Sequence, residues 1–596
     1  MDWINYAIVV FYLLTVIGVG FYFNNKNKGT EDYLLGGRKL PFFAVGLSTM
    51  MTMLSSVSLV FVTGEVFNHG YTLFLLPLLL GWIQIPFYYL FVRFYFKIGS
   101  FTPYEYLEYR YDGKIRMVVA FFGLYGRLLY LGMVLYSSAK IFEGMFGWDA
   151  WITILVVGVT GILFTVTGGM KAVVWTEVVQ FFFLLIGEIS VIWVLCAGIK
   201  GGAWEAVACA FREGHGVPQY SEANFYKITP YVRLLFFLLL WNAIVGPLNN
   251  CSSNQIYLQR LLSTANWREG LKAQIVSYVT SLWFQLMLAF IAFGLFTYYF
   301  QNPDPRLLSL KGAAGDVVFF HFIATKLVTP FPGVFMAAML AAIMSTLDAS
   351  MHSLATVWVK EFHVKLVNRK MNQSREVLVS KLATLLIGLF AITLGIALSL
   401  SGKWLQQSIA EVTTVFAVFA EATLPAFLFA MLSRRANAKL IWGYTFFAVG
   451  EAVGKNLWYI LSKSSLEAWT LDPAAGFGWA GKLPGIFVVL PLLAGIALGA
   501  PYLVGRIRQL RLGMVSGIAS LVFFGITLAM LQWFVFSNLE ISDKPMARSF
   551  AFFLPLALLI SAAVLRFLPV QPREKWQGLT IFTIGDKIIS KPETQE

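Results

Sequence analysis

The chain has 596 residues, of which 58% are hydrophobic and only 13% charged, with a mean hydropathy of +0.71. A soluble domain carries about 25% charged residues, so this chain lacks the polar surface to cover a water-soluble globule. A formal charge of +14 would raise nucleic acid as a partner in a soluble protein, but here the basic residues fall in short loops between apolar stretches, where they read as topology determinants facing a lipid bilayer.

Apolar runs near 20 residues recur along the chain, the length a helix needs to cross a bilayer. They are continuous rather than alternating, which makes them helices and not barrel strands. The first follows Asp2 directly, without a basic leader, and reads as a retained span. Expected spans lie near 4–23, 42–67, 72–96, 117–146, 149–166, 173–199, 231–260, 272–300, 332–359, 377–401, 407–433, 438–462, 483–505, 513–536 and 549–568. The fold class is therefore all-α and polytopic, with about 15 spans.

Charge supports that count. With the N-terminus outside, the inner loops hold Lys26, Lys28, Arg38 and Lys39, then Lys97, Arg110, Lys114 and Arg116, then Lys171, then Arg260, Arg268 and Lys272. Lys360, Lys365, Arg369, Lys370, Arg375 and Lys381 follow, and later Arg434, Arg435, Lys439, Arg506, Arg508 and Arg511. The outer loops at 200–230, 301–331 and 464–482 are longer yet poorer in Lys and Arg. The alternation puts the C-terminus in the cytoplasm and the whole chain in the cell membrane. Within 301–331, the run Val317-Val318-Phe319-Phe320 followed by Phe322-Ile323 predicts a helix across the outer mouth. The tail from Gln571 is polar and short, with no catalytic domain. Cys196, Cys209 and Cys251 show no metal spacing and read as free thiols.

Two spans carry irregular chemistry. The one at 42–67 holds Ser48, Thr49, Thr52, Ser55, Ser56 and Ser58; the one at 231–260 holds Gly246-Pro247-Leu248-Asn249-Asn250 near its middle, which predicts a broken helix there. Their odd offset makes them run in opposite directions, the arrangement of an inverted repeat with interrupted helices at matching positions. A Gly-Pro that merely kinks a packed helix gives the same pattern.

Ordered motifs then become legible. Asp32-Tyr33-Leu34-Leu35-Gly36-Gly37-Arg38 precedes Gly46-Leu47-Ser48. Thr102-Pro103-Tyr104-Glu105-Tyr106-Leu107-Glu108-Tyr109-Arg110 follows, then Gly168-Gly169-Met170-Lys171-Ala172-Val173-Val174-Trp175-Thr176-Glu177. Asn254-Gln255 with Gln259-Arg260, and Ala341-Ala342-Ile343-Met344-Ser345-Thr346-Leu347, complete the set. In this order, across 32–360, the chain resembles the sodium:solute symporter family, which includes the sodium/glucose cotransporters. The resemblance implies a leucine-transporter-type 5+5 inverted repeat with one preceding and about four following helices. Residues 1–41 would be the first span and its loop, 42–199 core helices 1–5, 231–433 core helices 6–10, 438–568 peripheral helices and 569–596 the tail. The extra terminal span departs from many members.

The resemblance also implies a sodium site. Its ligands would be the carbonyls of Met51 and Leu54 in core helix 1, the carbonyl of Ala342, and the hydroxyls of Ser345 and Thr346 in core helix 8. Such a hydroxyl pair in an apolar helix can also bond back to its own turn. Some members hold a second sodium on an aspartate in core helix 5. Here Glu177 stands in that place, Ala349 replaces a hydroxyl, and Asp348 has appeared. A carboxylate inside a span is costly and usually functional. Glu177 and Asp348 are therefore candidates for a second sodium or a proton, or Glu177 pairs with a nearby base such as Lys171.

The pocket is less legible. Where sugar carriers place a carboxylate, a lysine and a glutamine, this chain offers Pro77, residues near Ser281, and Ala417, so a galactose-type pocket is not preserved. Arg127 in core helix 3 is either a carboxylate anchor or a structural partner of Glu188 or Glu421. Ser55, Ser58, Gln84, Asn254 and Glu421 are further pocket candidates. The expected activity is sodium-coupled import of a small polar organic solute, either a sugar or polyol or a carboxylate. A proton-coupled carrier, a passive channel or a sensor on the same fold are the alternatives. An enzyme is not expected, since His69, His321 and His352 share no ligand spacing, and without a phosphate-binding loop ATP is not the expected energy source.

Overall fold

The computed structural model describes residues 2–24, 29–226, 236–308, 314–367, 371–400, 423–444 and 568–583, with single positions at 561, 565 and 585. Glu421, Ala417 and the expected spans at 438–462, 483–505, 513–536 and 549–568 lie essentially outside them, as does most of 407–433. Every regular element among the described residues is helical. Among the described residues, seven helices are long and apolar enough to cross a membrane, or eight if one bent pair counts as a single span.

The elements that position the site are α1 (Trp3–Asn24), α2 (Thr30–Leu35), α3 (Phe42–Met53), α4 (Ser56–His69), α5 (Thr72–Leu80), α6 (Gln84–Ile98), α7 (Pro103–Arg110), α8 (Gly113–Phe146) and α9 (Ala150–Gly198). They continue with α10 (Gly202–Arg212), α11 (Phe236–Ser252), α12 (Gln255–Leu261), α13 (Trp267–Gln301), α14 (Pro305–Leu308), α15 (Ala314–Lys326), α16 (Phe331–Val357), α17 (Gln373–Leu400) and α18 (Leu424–Leu432).

The 49 residues of α9 would extend roughly 70 Å as one helix, over twice a hydrocarbon core. Gly169 divides them, with φ 59° and ψ −156°. A side chain there would meet the Tyr33 ring at 2.7 Å and its carbonyl at 2.8 Å. The spans expected at 149–166 and 173–199 are thus two helices joined by a sharp turn at this glycine.

The chain forms two units, Met1–Pro103 with Arg127–Lys227 and Asn242–Gly402, and the remainder. In the first, α16 is buried along nearly its whole length and packs on α9, with α1 and α17 alongside. Gly187 on α9 permits one close approach, since a side chain there would meet Ala338 on α16 at 2.7 Å. The helix expected in 301–331 is α15, packed on α4. In the second unit, fully buried Arg110 donates from Nε to Ala430 O at 3.1 Å and from a terminal nitrogen to Ser433 O. Tyr106 donates to Leu579 O at 2.7 Å, and Ile581 N to Met431 O at 3.0 Å, which docks the segment after 568 onto α7 and α18.

One expectation is corrected. Gly246-Pro247 does not break its span, because Pro247 sits inside continuous α11. The break comes at Ser253-Asn254, where both main-chain N–H groups converge on Asn249 O and the Asn254 side chain caps α12 through Ile256 N at 3.1 Å. A proline is tolerated inside a membrane helix when neighbours satisfy the freed carbonyl, whereas a competing cap redirects the chain.

Candidate functional site: a broken helix facing a hydroxyl pair

The first broken helix carries the site. α3 stops because Leu54 is extended (φ −96°, ψ 120°), and Ser55, also extended, caps α4 by accepting from Ser58 N at 3.2 Å. The two halves meet at 60°. A helix end leaves its last carbonyls without intrahelical partners, so the bend presents main-chain oxygens in mid-span.

α16 faces them with two buried hydroxyls. Ser345 Oγ donates to Met51 O at 3.2 Å, and both hydroxyls bond back to their own turn, Ser345 Oγ to Ala342 O at 3.1 Å and Thr346 Oγ1 to Ala342 O at 3.3 Å. Four of the five expected sodium ligands are therefore gathered by two helices. Leu54, the fifth, stands at the break, its own N–H shared between Met50 O and Met51 O at 3.3 Å. The donor set is neutral oxygen throughout, which suits a hard monovalent cation.

One turn back on α3, a buried charge cluster begins. Glu177 accepts from Arg260 at 2.7 Å, from Thr52 Oγ1 at 2.9 Å and from Ser48 Oγ. Arg260 also donates to Ser48 Oγ at 2.9 Å and Ile256 O at 3.2 Å. Glu177 does not pair with Lys171, which instead holds Asp32 at 2.7 Å. Arg260 is not a loop charge either, being 1% exposed. It is the residue that sequence reasoning missed, since a base at a span's end looks like a topology signal; its place in the Gln259-Arg260 motif was the available clue. Asp348 lies one turn beyond Ser345, with one oxygen on Ala349 N at 2.6 Å and the other without a hydrogen bond among the described residues.

The pocket candidates separate. Ser55 and Ser58 bond each other at 3.0 Å as part of the α4 cap, and Asn254 is spent on the α12 cap and on Asn250. Gln84 accepts from Tyr88, whose ring stacks on Tyr257 at 6.4 Å. Arg127 pairs with no carboxylate among the described residues. Its guanidinium lies 4.8 Å from the Tyr130 ring and its Nε is buried without a partner. Glu188 is buried with both oxygens unpartnered among the described residues, so the expected pair between them is not formed.

Comparison with known proteins decides the class. The model of the sodium:solute symporter family matches residues 33–443. The chain belongs to the sodium:solute symporter family. As a member it is a multi-pass membrane transporter and not an enzyme; it carries a small-molecule substrate, and its coupling ion is sodium. This symporter is 25% identical over 406 residues to the sodium/sialic acid symporter SiaT of Proteus mirabilis, covering 68% of this chain and 79% of that one. It is 26% identical over 472 residues to the human sodium/iodide cotransporter, covering 77% and 69%. It is 25% identical to human sodium-coupled monocarboxylate transporter 2, covering 68% of this chain and 65% of that one. In fold it matches the solved outward-open structure of a sodium-coupled sialic acid symporter, with a TM-score of 0.68 at 23% identity over 77% of this chain and 92% of that chain.

Proposed function

We propose that the chain couples inward sodium movement to uptake of a small organic carboxylate by alternating access. The observation that carries the sodium half is the convergence of Met51 O, Ala342 O, Ser345 Oγ and Thr346 Oγ1 at a helix break. Sodium there would tie α3 to α16 and stabilise the outward-open state, and its loss to the cytoplasm would free the two halves.

The carboxylate half rests on Arg127. A guanidinium with an unsatisfied, buried Nε suits a planar anion that binds bidentately. The relatives named for sialic acid and monocarboxylates carry such groups. A sugar or polyol is the reading this disfavours, since Ser55, Ser58 and Asn254 are spent on caps. A second cation, sodium or proton, is assigned to Asp348, because Arg260 already supplies the positive charge beside Glu177. The architecture that goes with this reading is the 5+5 inverted repeat of about 15 spans in the cell membrane, N-terminus outside and C-terminus in the cytoplasm.

Proteoliposome uptake tests it with a panel of labelled carboxylates, sugars and polyols in sodium or choline. Carboxylate uptake that needs sodium is expected, and Arg127→Ala weakens an anion more than a neutral analogue. Uptake that runs equally well in choline overturns the sodium assignment; equal losses for both solutes remove the anchor.

A further inference from the structure

α2 is docked on the core through main-chain atoms, and one histidine holds the junction. His352 on α16 is 2% exposed. Its Nε2 lies 3.0 Å from Tyr33 O, and its Nδ1 lies 3.2 Å from Gln259 Nε2. The same Gln259 amide nitrogen donates to Leu34 O and to Thr356 Oγ1, each at 2.8 Å. Thr356 Oγ1 in turn donates to His352 O at 2.9 Å. The successive carbonyls of Tyr33 and Leu34 are thus gripped by α16 and α12.

The tautomer follows from the partners. A carbonyl only accepts, so Nε2 carries the hydrogen and Nδ1 keeps its lone pair; the Gln259 amide has two hydrogens for three acceptors, so Nδ1 takes only a shared, longer contact at 3.2 Å. A proton added at Nδ1 would point a donor at a donor. Turning the Gln259 amide over would present its oxygen to that proton, but would also set it against Leu34 O. Either way one anchor of α2 is lost.

The charges around the ring are mostly compensated. On α2, Asp32 is bound to Lys171 of α9 and Glu31 to Arg38, while the Tyr33 ring lies 5.5 Å from the imidazole. On α12, Arg260 is bound to Glu177 of α9. On α17, Glu376 is bound to Lys360, and Lys381 sits 5.9 Å from the Tyr33 ring. On α16 itself, Asp348 lies one turn away with one oxygen free of hydrogen bonds among the described residues.

We propose that His352 is the positioning residue of a latch that keeps the Tyr33–Leu34 end of α2 closed over the core, and that a proton on its imidazole releases the latch. This rests on the symport reading only in calling α2 an inner gate. Once released into water, a histidine takes a proton near pH 6.5. Closure with a neutral ring therefore weakens about tenfold for each pH unit below that value. Acid on the α2 side would then favour opening, whatever the sodium concentration.

Hydrogen exchange on the full chain in nanodiscs tests this, with exchange times scaled to the intrinsic rate at each pH. Residues 33–38 should lose protection about fivefold between pH 6.5 and 5.5, and His352→Asn, which cannot titrate, should give a flat profile. A flat wild-type profile, or the same slope in the variant, overturns the latch. A second measurement needs no variant. Nitrogen-15 spectra of the five histidines should place His352 in the Nε2–H form, and an Nδ1–H form overturns the proposal. Repeating the exchange in choline separates the readings, because the pH slope belongs to the latch and any sodium dependence to the transport cycle.

Discussion

Ser345 and Glu177 grip the same short helix, α3, and their loss should have opposite signatures. Removing the Ser345 hydroxyl would delete a proposed ion ligand yet leave a small apolar side chain in a buried slot. Ser345→Ala or Thr346→Ala should abolish sodium-stimulated uptake while costing about 1 kcal/mol of stability, the net worth of one hydrogen bond. Glu177→Gln leaves the Arg260 guanidinium buried and uncompensated, which costs about 3–5 kcal/mol. The double variant with Arg260→Gln should recover part of that loss. Thermal unfolding in detergent, with and without sodium, reads both. A Ser345→Ala protein that keeps its sodium response would break the ligand assignment, and an unchanged midpoint in Glu177→Gln would break the ion-pair account. The same pair explains what was legible. Ser345 and Thr346 announce themselves as hydroxyls in an apolar helix. Arg260 does not, because its pairing with Glu177 spans 83 positions and nothing local distinguishes it from a loop base.

At the scale of elements, the turn between α4 and α5 is fixed by Gly70, with φ 71°. A side chain there would come within 2.4 Å of His215 O and 2.8 Å of Gly216 O, both main chain, so the neighbour cannot rotate away. Gly70→Ala should therefore destabilise by about 1–3 kcal/mol, visible as a lowered unfolding temperature. His215 itself donates from Nε2 to Val66 O at 2.8 Å and stacks on Phe296 at 4.0 Å. Burial pushes its imidazole below the ordinary value, helped by nearby His69. A lowered value in the docked state means docking is complete above about pH 6.5 and weakens as pH falls through the lowered value. Hydrogen exchange of residues 213–217 should accelerate on acidification and stay level in His215→Asn. Helices such as α13 and α17 were readable from length and apolarity alone, because only the bilayer decides them. The break between α11 and α12 was not, since Pro247 is a stronger local signal than the Asn254 cap that wins in the folded chain.

Across the whole molecule, sodium is expected to act as a brace between distant segments. Residues 50–56 and 341–346 are far apart in sequence, and among the described residues the hydrogen bond from Ser345 Oγ to Met51 O ties the two segments. Replacing choline with sodium should slow hydrogen exchange in both segments together. Protection of one without the other, or of neither, would remove the brace. The seven membrane-length helices among the described residues were legible because apolar stretches and their flanking charges carry them, whereas the partner of each buried polar group depended on contacts that periodicity does not encode.

The bend between α3 and α4 has a consequence for anyone reading variation at this site. Of the oxygens proposed to hold the ion, those of Met51, Leu54 and Ala342 belong to the backbone, so no side-chain replacement can delete them. Position 51 should tolerate any residue of suitable bulk, while position 345 accepts only one that brings its own oxygen. A saturation screen would then report a permissive and a strict neighbour around one ion, and the permissive one would be the easier to overlook.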